Sequence, residues 1–157
     1  MIVLIQAIRK HTNLPIIAAG GIVDGVGMAA AFAAGAEGIQ MGTRFVSSKE
    51  SPVHENFKNS ILDSNEQGTW ILNKKSKPCI RALKTEFTKI IHEAGVMEMT
   101  DMMKIQDLYF GGDMNAAPAL TGQSAGLIDQ IKPVSQIIEE TILEFNQTCK
   151  KMSSQTF

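Results

Sequence analysis

Two glycine turns near the amino terminus have the composition of an anion-binding site. Gly20 and Gly21 follow one short apolar run, and Gly42 with Thr43 follows another. A backbone N–H group approaches a phosphate closely only where no side chain intervenes, and a turn at a helix start directs several unpaired N–H groups at the anion. The turns therefore predict phosphate binding, although glycines at these positions would also serve simply to close tight turns.

The segments around these turns predict one βαβ unit. Residues 15–19 form a continuous apolar run, as in a parallel strand buried on both faces, and residues 38–41 form a second strand. Asp24 is placed to cap the helix between them, and Gly35 is placed to end it in a left-handed conformation. Because the connection is short, the strands should be parallel and the crossover right-handed, which puts both glycine turns at the carboxyl ends of the strands.

Most of the remaining chain has helical patterns. A first helix is predicted before residues 11–13, Ser51-Pro52 predicts a helix start that reaches about residue 62, and Pro133 predicts the start of the last helix. The polar residues 63–76, which include Trp70, predict a loop. Further helices are predicted over residues 83–93, 100–109 and about 124–131. The last helix should fray from Lys150 and should carry one broad apolar face, formed by Ile137, Ile138, Ile142, Leu143 and Phe145.

Composition excludes several classes of function. The 157 residues suffice for one globular domain, and 15 basic against 16 acidic residues leave a formal charge of -1, so no global field attracts nucleic acid or an anionic membrane. Cys79 and Cys149 lie far apart without a CxxC pair or histidine at ligand spacing, so no metal site is expected. Neither a signal peptide nor a spanning segment is evident, so the expected location is the cytoplasm.

Five segments of the chain have an order and spacing that are typical of one group of enzymes. They are Pro15-Ile-Ile-Ala-Ala-Gly-Gly-Ile22, Gly35-Ala36-Glu37-Gly38, Gln40-Met-Gly-Thr-Arg-Phe45, Ser48-Lys-Glu-Ser51 with His54, and Gly122-Gln-Ser-Ala-Gly-Leu127 before Ile131-Lys-Pro133. The first three resemble the flavin mononucleotide (FMN) phosphate region of nitronate monooxygenases, formerly called 2-nitropropane dioxygenases. The flavin-dependent enoyl-acyl-carrier-protein reductase II enzymes share that region, and the last two segments also resemble both families. Inosine monophosphate dehydrogenases have related turns, but they carry Gly-Ser where this chain has Gly-Thr-Arg-Phe.

The resemblance implies which residues hold the cofactor FMN. Gly21 would contact the flavin through its amide, and Gly20 is the next candidate. The phosphate would be wrapped by four consecutive residues, with the Thr43 hydroxyl as a donor: Gln40, Met41, Gly42 and Thr43. Turn chemistry independently supports the glycines and Thr43, whereas Gln40 and Met41 depend on the resemblance.

Two further positions stay open. Arg44 would either neutralise phosphate charge or pair with a structural carboxylate. Gln123 resembles a residue near the flavin or substrate cavity, but the Gly122-Gln123 turn would serve equally as a helix entrance capped by Ser124.

The resemblance also implies the fold class, which is α/β: the last strands and helices of a (β/α)8 TIM barrel, with additional carboxy-terminal helices. Residues 1–50 would be the βαβ part of the barrel, residues 51–120 a helical or irregular insertion, and residues 121–157 the final helices that close on it. Because such a barrel needs roughly 250 residues, the chain would be a carboxy-terminal fragment without the first six strands.

No catalytic residue is assigned. In the resembled families the amino-terminal half supplies the flavin-ring contacts and a histidine that acts on substrate, so this histidine is expected upstream of Met1. His11 and His92 are predicted to be solvated, and His54 matches a family position outside the chemistry.

Three functional hypotheses follow. The first is FMN-dependent oxidation of alkyl nitronates with molecular oxygen, and the second is NAD(P)H-dependent reduction of an enoyl thioester. The third is that the chain is a non-catalytic fragment or a subunit that completes a barrel with another polypeptide. The expected association is with a partner chain or in a homo-oligomer.

Overall fold

A computed structural model describes residues 1–155 and divides the chain into two compact units. Unit 1 combines residues 1–42 with the segment that begins at Lys132, and unit 2 spans Thr43–Ile131. Across residues 1–155, no helix combines the length and the apolar character that crossing a membrane requires.

Unit 1 contains the predicted βαβ unit. Its elements are, in chain order, α1 (Ile2–Arg9), β1 (Ile17–Ala19), α2 (Gly25–Ala33), β2 (Gly38–Gln40) and the long helix that ends the chain, Val134–Ser153. Strands β1 and β2 are parallel, and Ala19 is the register partner of Gln40. The predicted parallel pair is therefore confirmed, and so is the helix at the start of the chain.

Local signals at both ends of α2 act as predicted. The Asp24 carboxylate accepts a hydrogen bond from the N–H of Gly27 at 2.7 Å, which satisfies one of the unpaired donors of the first turn. Gly35 has a φ of +108°, a conformation that residues with a side chain rarely adopt. The helix therefore ends where glycine allows the chain to turn back towards β2.

The prediction that β1 is buried on both faces is wrong for this chain. Ala18 belongs to the core of unit 1, together with Ile5, Ile16 and Ile22, but the side chain of Ile17 is 66% exposed. Within residues 1–155, β1 pairs only with β2. One face of this two-stranded sheet is therefore covered by the core and the other is open.

The long final helix packs against α2 at very close range. A Cβ atom placed on Gly25 would overlap backbone atoms of Thr141 and Phe145, and the rings of Phe32 and Phe145 meet edge to face at 5.2 Å between centroids. The predicted start after Pro133 is confirmed.

One prediction about this helix is wrong, and its broad apolar face is buried only in part. It is helical to Ser153, so it does not fray from Lys150. Only Ile137 and Thr141 are buried, and Ile138, Ile142 and Leu143 are exposed. The close contact with α2 fixes which narrow face of the helix points inwards.

Unit 2 is built on a β-hairpin and short helices. Its helices are α3 (Thr43–Val46), α4 (Glu55–Leu62), α5 (Glu86–Ala94) and α6 (Ile105–Tyr109), with 3-10 turns at Met99–Met102 and Gln123–Leu127, so the final helix of unit 1 is α7. Strands β3 (Thr69–Leu72) and β4 (Ile80–Leu83) are antiparallel. Leu72, Ala82 and Ile91 join the hairpin and α5 in one core cluster.

Several predictions in unit 2 need correction. Helix α4 begins after His54 rather than at Ser51-Pro52, because the His54 ring nitrogen caps it. The predicted loop over residues 63–76 contains β3, and the helix predicted over residues 83–93 starts only at Glu86, because the residues before it form β4. The helix predicted over residues 100–109 is divided in two, and that over residues 124–131 is a 3-10 turn only.

Candidate functional site

The two glycine turns of unit 1 lie side by side. Ala19 pairs with Gln40, so the parallel strands end at the same edge of the sheet. The residues that follow them at this edge are Gly20-Gly21 and Met41-Gly42. Gly20 and Gly21 have φ values of +102° and +76°, which only glycine adopts at low cost. The predicted arrangement of two turns at the carboxyl ends of neighbouring strands is present.

Gly42 is a glycine that the protein's own structure does not require. Its φ lies outside the positive region, and a Cβ atom added to it would meet no atom of the chain within 4 Å. Most glycines are explained by backbone conformation or by a close neighbour. At Gly42 neither reason applies, so the open space over its backbone is suited to the close approach of a bound group.

Free backbone donors line this edge. Within residues 1–155, the N–H groups of Gly21 and Gly42 donate to no other residue of the chain, and both glycines are exposed. An anion that binds at these turns would therefore find donors that solvent alone now satisfies.

Two N–H groups in the first turn of α2 are already bonded within the chain. The N–H of Gly25 donates to a carboxylate oxygen of Glu144 at 2.8 Å, and that of Gly27 donates to Asp24. Two carboxylates thus already occupy the positive end of this helix. Anion binding in unit 1 therefore depends on the two glycine turns rather than on the N–H groups of Gly25 and Gly27.

Gln40 and Met41 differ in what they offer. Gln40 ends β2 with an exposed side chain, so its amide is accessible. The side chain of Met41 packs against the core of unit 1, so only its backbone is available to a ligand.

Thr43 begins unit 2, and its hydroxyl is held by a distant turn. The Gly122 N–H donates to Thr43 Oγ1 at 2.9 Å, and Thr121 Oγ1 lies 3.3 Å from the same atom. These partners follow Thr43 by 79 and 78 positions. Periodicity and turn chemistry act over a few residues, so no signal in the sequence could have shown this contact.

Arg44 is buried and tied to the backbone of unit 2. Its guanidinium donates to the carbonyl of Gln130 at 3.0 Å and to the Ser47 hydroxyl at 3.2 Å, and the residue is 7% exposed. This geometry favours a structural role for Arg44 over binding of phosphate, and a backbone carbonyl is among the partners of its guanidinium.

The Gly122-Gln123 turn is a helix entrance of an unexpected kind. The 3-10 turn starts after Gly122 without a side-chain cap, so the predicted cap at Ser124 is wrong. The Gln123 side-chain amide donates to the Glu66 carbonyl at 3.2 Å. A Cβ atom on Gly126 would overlap the backbone of residues 65 and 66. The turn is therefore packed tightly onto the loop between α4 and β3.

Two of the three histidines contact other residues of the chain, and the third is exposed. His54 Nδ1 accepts from the Asn56 N–H at 3.1 Å. His11 is exposed as predicted, but His92 is not simply solvated, since its ring stacks on Trp70 with centroids 4.4 Å apart. Within residues 1–155, no group of three or more His, Cys, Asp or Glu side chains is placed to hold a metal ion.

Tyr109 is a half-buried phenol in unit 2. Its ring lies 5.2 Å from that of Phe57. Burial raises the pKa of Tyr109 above its usual value, and a hydrogen bond with the backbone of Leu120 opposes the rise in part. The neutral phenol is thus the form that the folded state favours.

A polar cleft of about 270 Å³ lies on unit 2 and contains none of the predicted flavin residues. Its walls come from the end of α4, the loop that follows it, the end of β4 and the two residues before α5: Ser60, Asp63, Ser64, Asn65, Gly68, Leu83, Lys84 and Thr85.

Comparison with known proteins connects this geometry to one family. A family model described as nitronate monooxygenase matches residues 1–144. A probable nitronate monooxygenase of Staphylococcus saprophyticus is 38% identical over 90 residues, which are 57% of this chain and 25% of that protein.

Solved structures extend the likeness over nearly the whole chain. FabK from Thermotoga maritima is 42% identical with a TM-score of 0.91, over 97% of this chain and 50% of its own. Nitroalkane oxidase from Streptomyces ansochromogenes, at 22% identity and a TM-score of 0.82 over 96% of this chain and 45% of its own, supports the fold alone. Both are TIM-barrel enzymes. The chain spans about a quarter of the length of the curated relative and about half that of the solved structures.

Proposed function

The chain belongs to the nitronate monooxygenase family, and from this membership we propose that it binds FMN through the phosphate at its two glycine turns. Members of the family are flavoproteins. Gly42 carries the proposal, because neither its φ nor its packing requires a glycine. A phosphate that approaches the backbone at this point supplies the missing reason.

The described residues fit a phosphate in their chemistry. The N–H groups of Gly21 and Gly42 and the hydroxyl of Thr43 are donors, and phosphate oxygens accept hydrogen bonds. Gly20 gives the turn its left-handed backbone, and the exposed Gln40 adds an amide at the strand end. Bound FMN would supply the electron transfer, and these residues would hold it by its phosphate and so position its ring.

In this proposal the βαβ unit is the last part of a (β/α)8 barrel. The parallel pair β1–β2 and the TIM-barrel neighbours support it. The remaining strands would come from a polypeptide segment outside these 157 residues, either covalently continuous or in a partner chain. The exposed apolar side chains of Val3, Leu14 and Ile17 support such a covering segment.

The first candidate activity is oxidation of nitronates with molecular oxygen. The family model over residues 1–144 and the probable nitronate monooxygenase of Staphylococcus saprophyticus favour it. The substrate would be a small alkyl nitronate.

The second candidate activity is reduction of an enoyl thioester with NAD(P)H. The identity of 42% with FabK, an enoyl-acyl-carrier-protein reductase II, favours it because it extends over 97% of this chain. The match to the curated nitronate monooxygenase extends over 57% of the chain.

Two measurements test the proposal in order. Purified protein should show the absorbance spectrum of a bound flavin, and heat or acid should release FMN rather than FAD. A colourless protein that binds no added FMN would contradict the cofactor proposal and favour a non-catalytic fragment. Oxygen uptake with an alkyl nitronate would then support the first activity, and NAD(P)H oxidation with an enoyl thioester would support the second.

A further inference from the structure

We propose that the Thr121-Gly122 turn orients the Thr43 hydroxyl as a hydrogen-bond donor to the FMN phosphate, which makes Thr121 a positioning residue. The inference rests on the proposed function, since it assigns a role within the same phosphate site. All three residues belong to unit 2. Thr43 would touch the ligand, and Thr121 and Gly122 would act through it.

The chemistry of a hydroxyl group gives the first step. Thr43 Oγ1 has one proton to donate and two lone pairs that accept. The Gly122 N–H group can only donate, and at 2.9 Å it occupies one of these lone pairs. The Thr43 proton therefore cannot point towards Gly122.

Thr121 restricts the second direction. Its Oγ1 lies 3.3 Å from Thr43 Oγ1, longer than a strong O–H···O bond. When Thr121 donates, it occupies the second lone pair and leaves the Thr43 proton for another acceptor. Phosphate oxygens only accept when ionised, so a hydroxyl prepared in this way matches them.

The turn that carries these donors is fixed on both sides. The Thr121 N–H donates to the Arg81 carbonyl at 3.1 Å, which extends the hairpin. After Gly122, the Gln123 side chain is bonded to Glu66. An N–H group held at both flanks keeps its direction, and this lowers the cost of ordering the Thr43 hydroxyl when a ligand binds.

Small substitutions separate this role from folding. Thr121→Val removes the hydroxyl and keeps the side-chain shape, whereas Thr121→Ser keeps the hydroxyl. Gly122 has a φ of −81°, so alanine is allowed there, but its Cβ would lie 3.3 Å from Thr43 Oγ1. Gly38→Ala is a matched control, because its Cβ would make only an ordinary contact of 3.5 Å with Ile17.

The test compares the Kd of FMN with that of riboflavin, which lacks the phosphate, by flavin fluorescence titration of the full chain. Thr43→Val should lower the preference for FMN about tenfold or more, as expected for a lost bond to a charged group. Thr121→Val and Gly122→Ala should each lower it about three- to tenfold. Thr121→Ser and Gly38→Ala should keep it, and the Kd of riboflavin should stay constant throughout.

The failures are distinguishable. A wild-type protein without a preference for FMN would overturn the proposed function and this inference with it. If the wild type prefers FMN and Thr43→Val loses the preference, but Thr121→Val and Gly122→Ala keep it, the inference alone is overturned. If Thr121→Val does not fold, the comparison of Gly122→Ala with Gly38→Ala decides.

Discussion

Replacing Gly42 with alanine should separate FMN binding from folding. The new methyl group meets no protein atom within 4 Å, and the backbone at residue 42 lies outside the positive-φ region. Alanine also restricts the unfolded chain more than glycine does, which stabilises a protein by about 0.4–1 kcal/mol where the conformation is compatible. At roughly 2–4 °C per kcal/mol for a chain of this size, the Tm without flavin should stay constant or rise by about 1–4 °C.

Affinity for FMN should fall in the same variant. A methyl group in the space over the Gly42 backbone prevents a phosphate from approaching the Gly42 N–H. The loss of one hydrogen bond to a charged group, about 1.5–3 kcal/mol, raises the Kd of FMN roughly 10- to 150-fold. Thermal unfolding without flavin and fluorescence titration with FMN measure the two effects on the same preparation.

Gly21→Ala is the contrasting variant. Its φ of +76° forces alanine into a left-handed conformation that costs about 1–2 kcal/mol, so its Tm should fall by about 2–8 °C and its affinity for FMN should fall as well. The reasoning is refuted if Gly42→Ala binds FMN as the wild type does, or if it loses stability as Gly21→Ala does.

Three further predictions concern packing and charge. Gly25→Ala should lower the Tm by about 4–8 °C or more, because its Cβ overlaps the α7 backbone. Gly27→Ala should keep or raise the Tm in the same melting assay, because its new Cβ meets only side chains and one Cα atom at 3.2 Å or more. Arg44→Gln should lower the Tm by about 2–12 °C, because it weakens the hydrogen bonds to Gln130 and Ser47. Its preference for FMN over riboflavin should equal that of the wild type. A lost preference would make Arg44 a phosphate ligand. Folding raises the pKa of Tyr109, so the stabilising effect of the neutral phenol is complete below pH 10 and is lost as the pH rises through the folded pKa. The Tm measured from pH 8 to 11 should therefore fall more steeply for the wild type than for Tyr109→Phe. Parallel curves would contradict this.

The βαβ unit was predictable because its signals are local. A cap at Asp24 and a left-handed glycine at Gly35 each act within one helical turn, and both act as expected. The β-hairpin of unit 2 was missed for the opposite reason. Its strand Thr69–Leu72 is short and bordered by polar residues, and it is stabilised by pairing with Ile80–Leu83 rather than by its own pattern.

Burial on α7 shows a second limit of sequence patterns. Its apolar residues predicted one broad apolar face, and the helix lies so close to α2 that only a narrow stripe around Ile137 and Thr141 is covered. A hydrophobic pattern indicates which faces are able to pack. The backbone approach at Gly25 determines which of them does.

The candidate site likewise has features that local sequence signals predict and features that only the folded chain shows. Turn chemistry predicted a glycine turn at Gly20 and Gly21, and the structure adds that both residues have a positive φ. The contact of Thr43 with Gly122 joins residues 79 positions apart, so only the folded chain shows it. The roles of the predicted residues towards FMN stay predictions until the titrations are made.

The discontinuity of unit 1 has a consequence for the timing of synthesis on the ribosome. Helix α2 leaves the ribosome early, but α7, the helix that covers it, follows only after all of Thr43–Ile131 has been translated. At about 5–20 residues per second this interval is on the order of 10 s. During that time the apolar surface around Phe32 and the small surface at Gly25 lack their final cover, whereas the hairpin of unit 2 can already pair. The nascent βαβ unit therefore has a window in which chaperones are able to bind it, and this window closes when α7 docks.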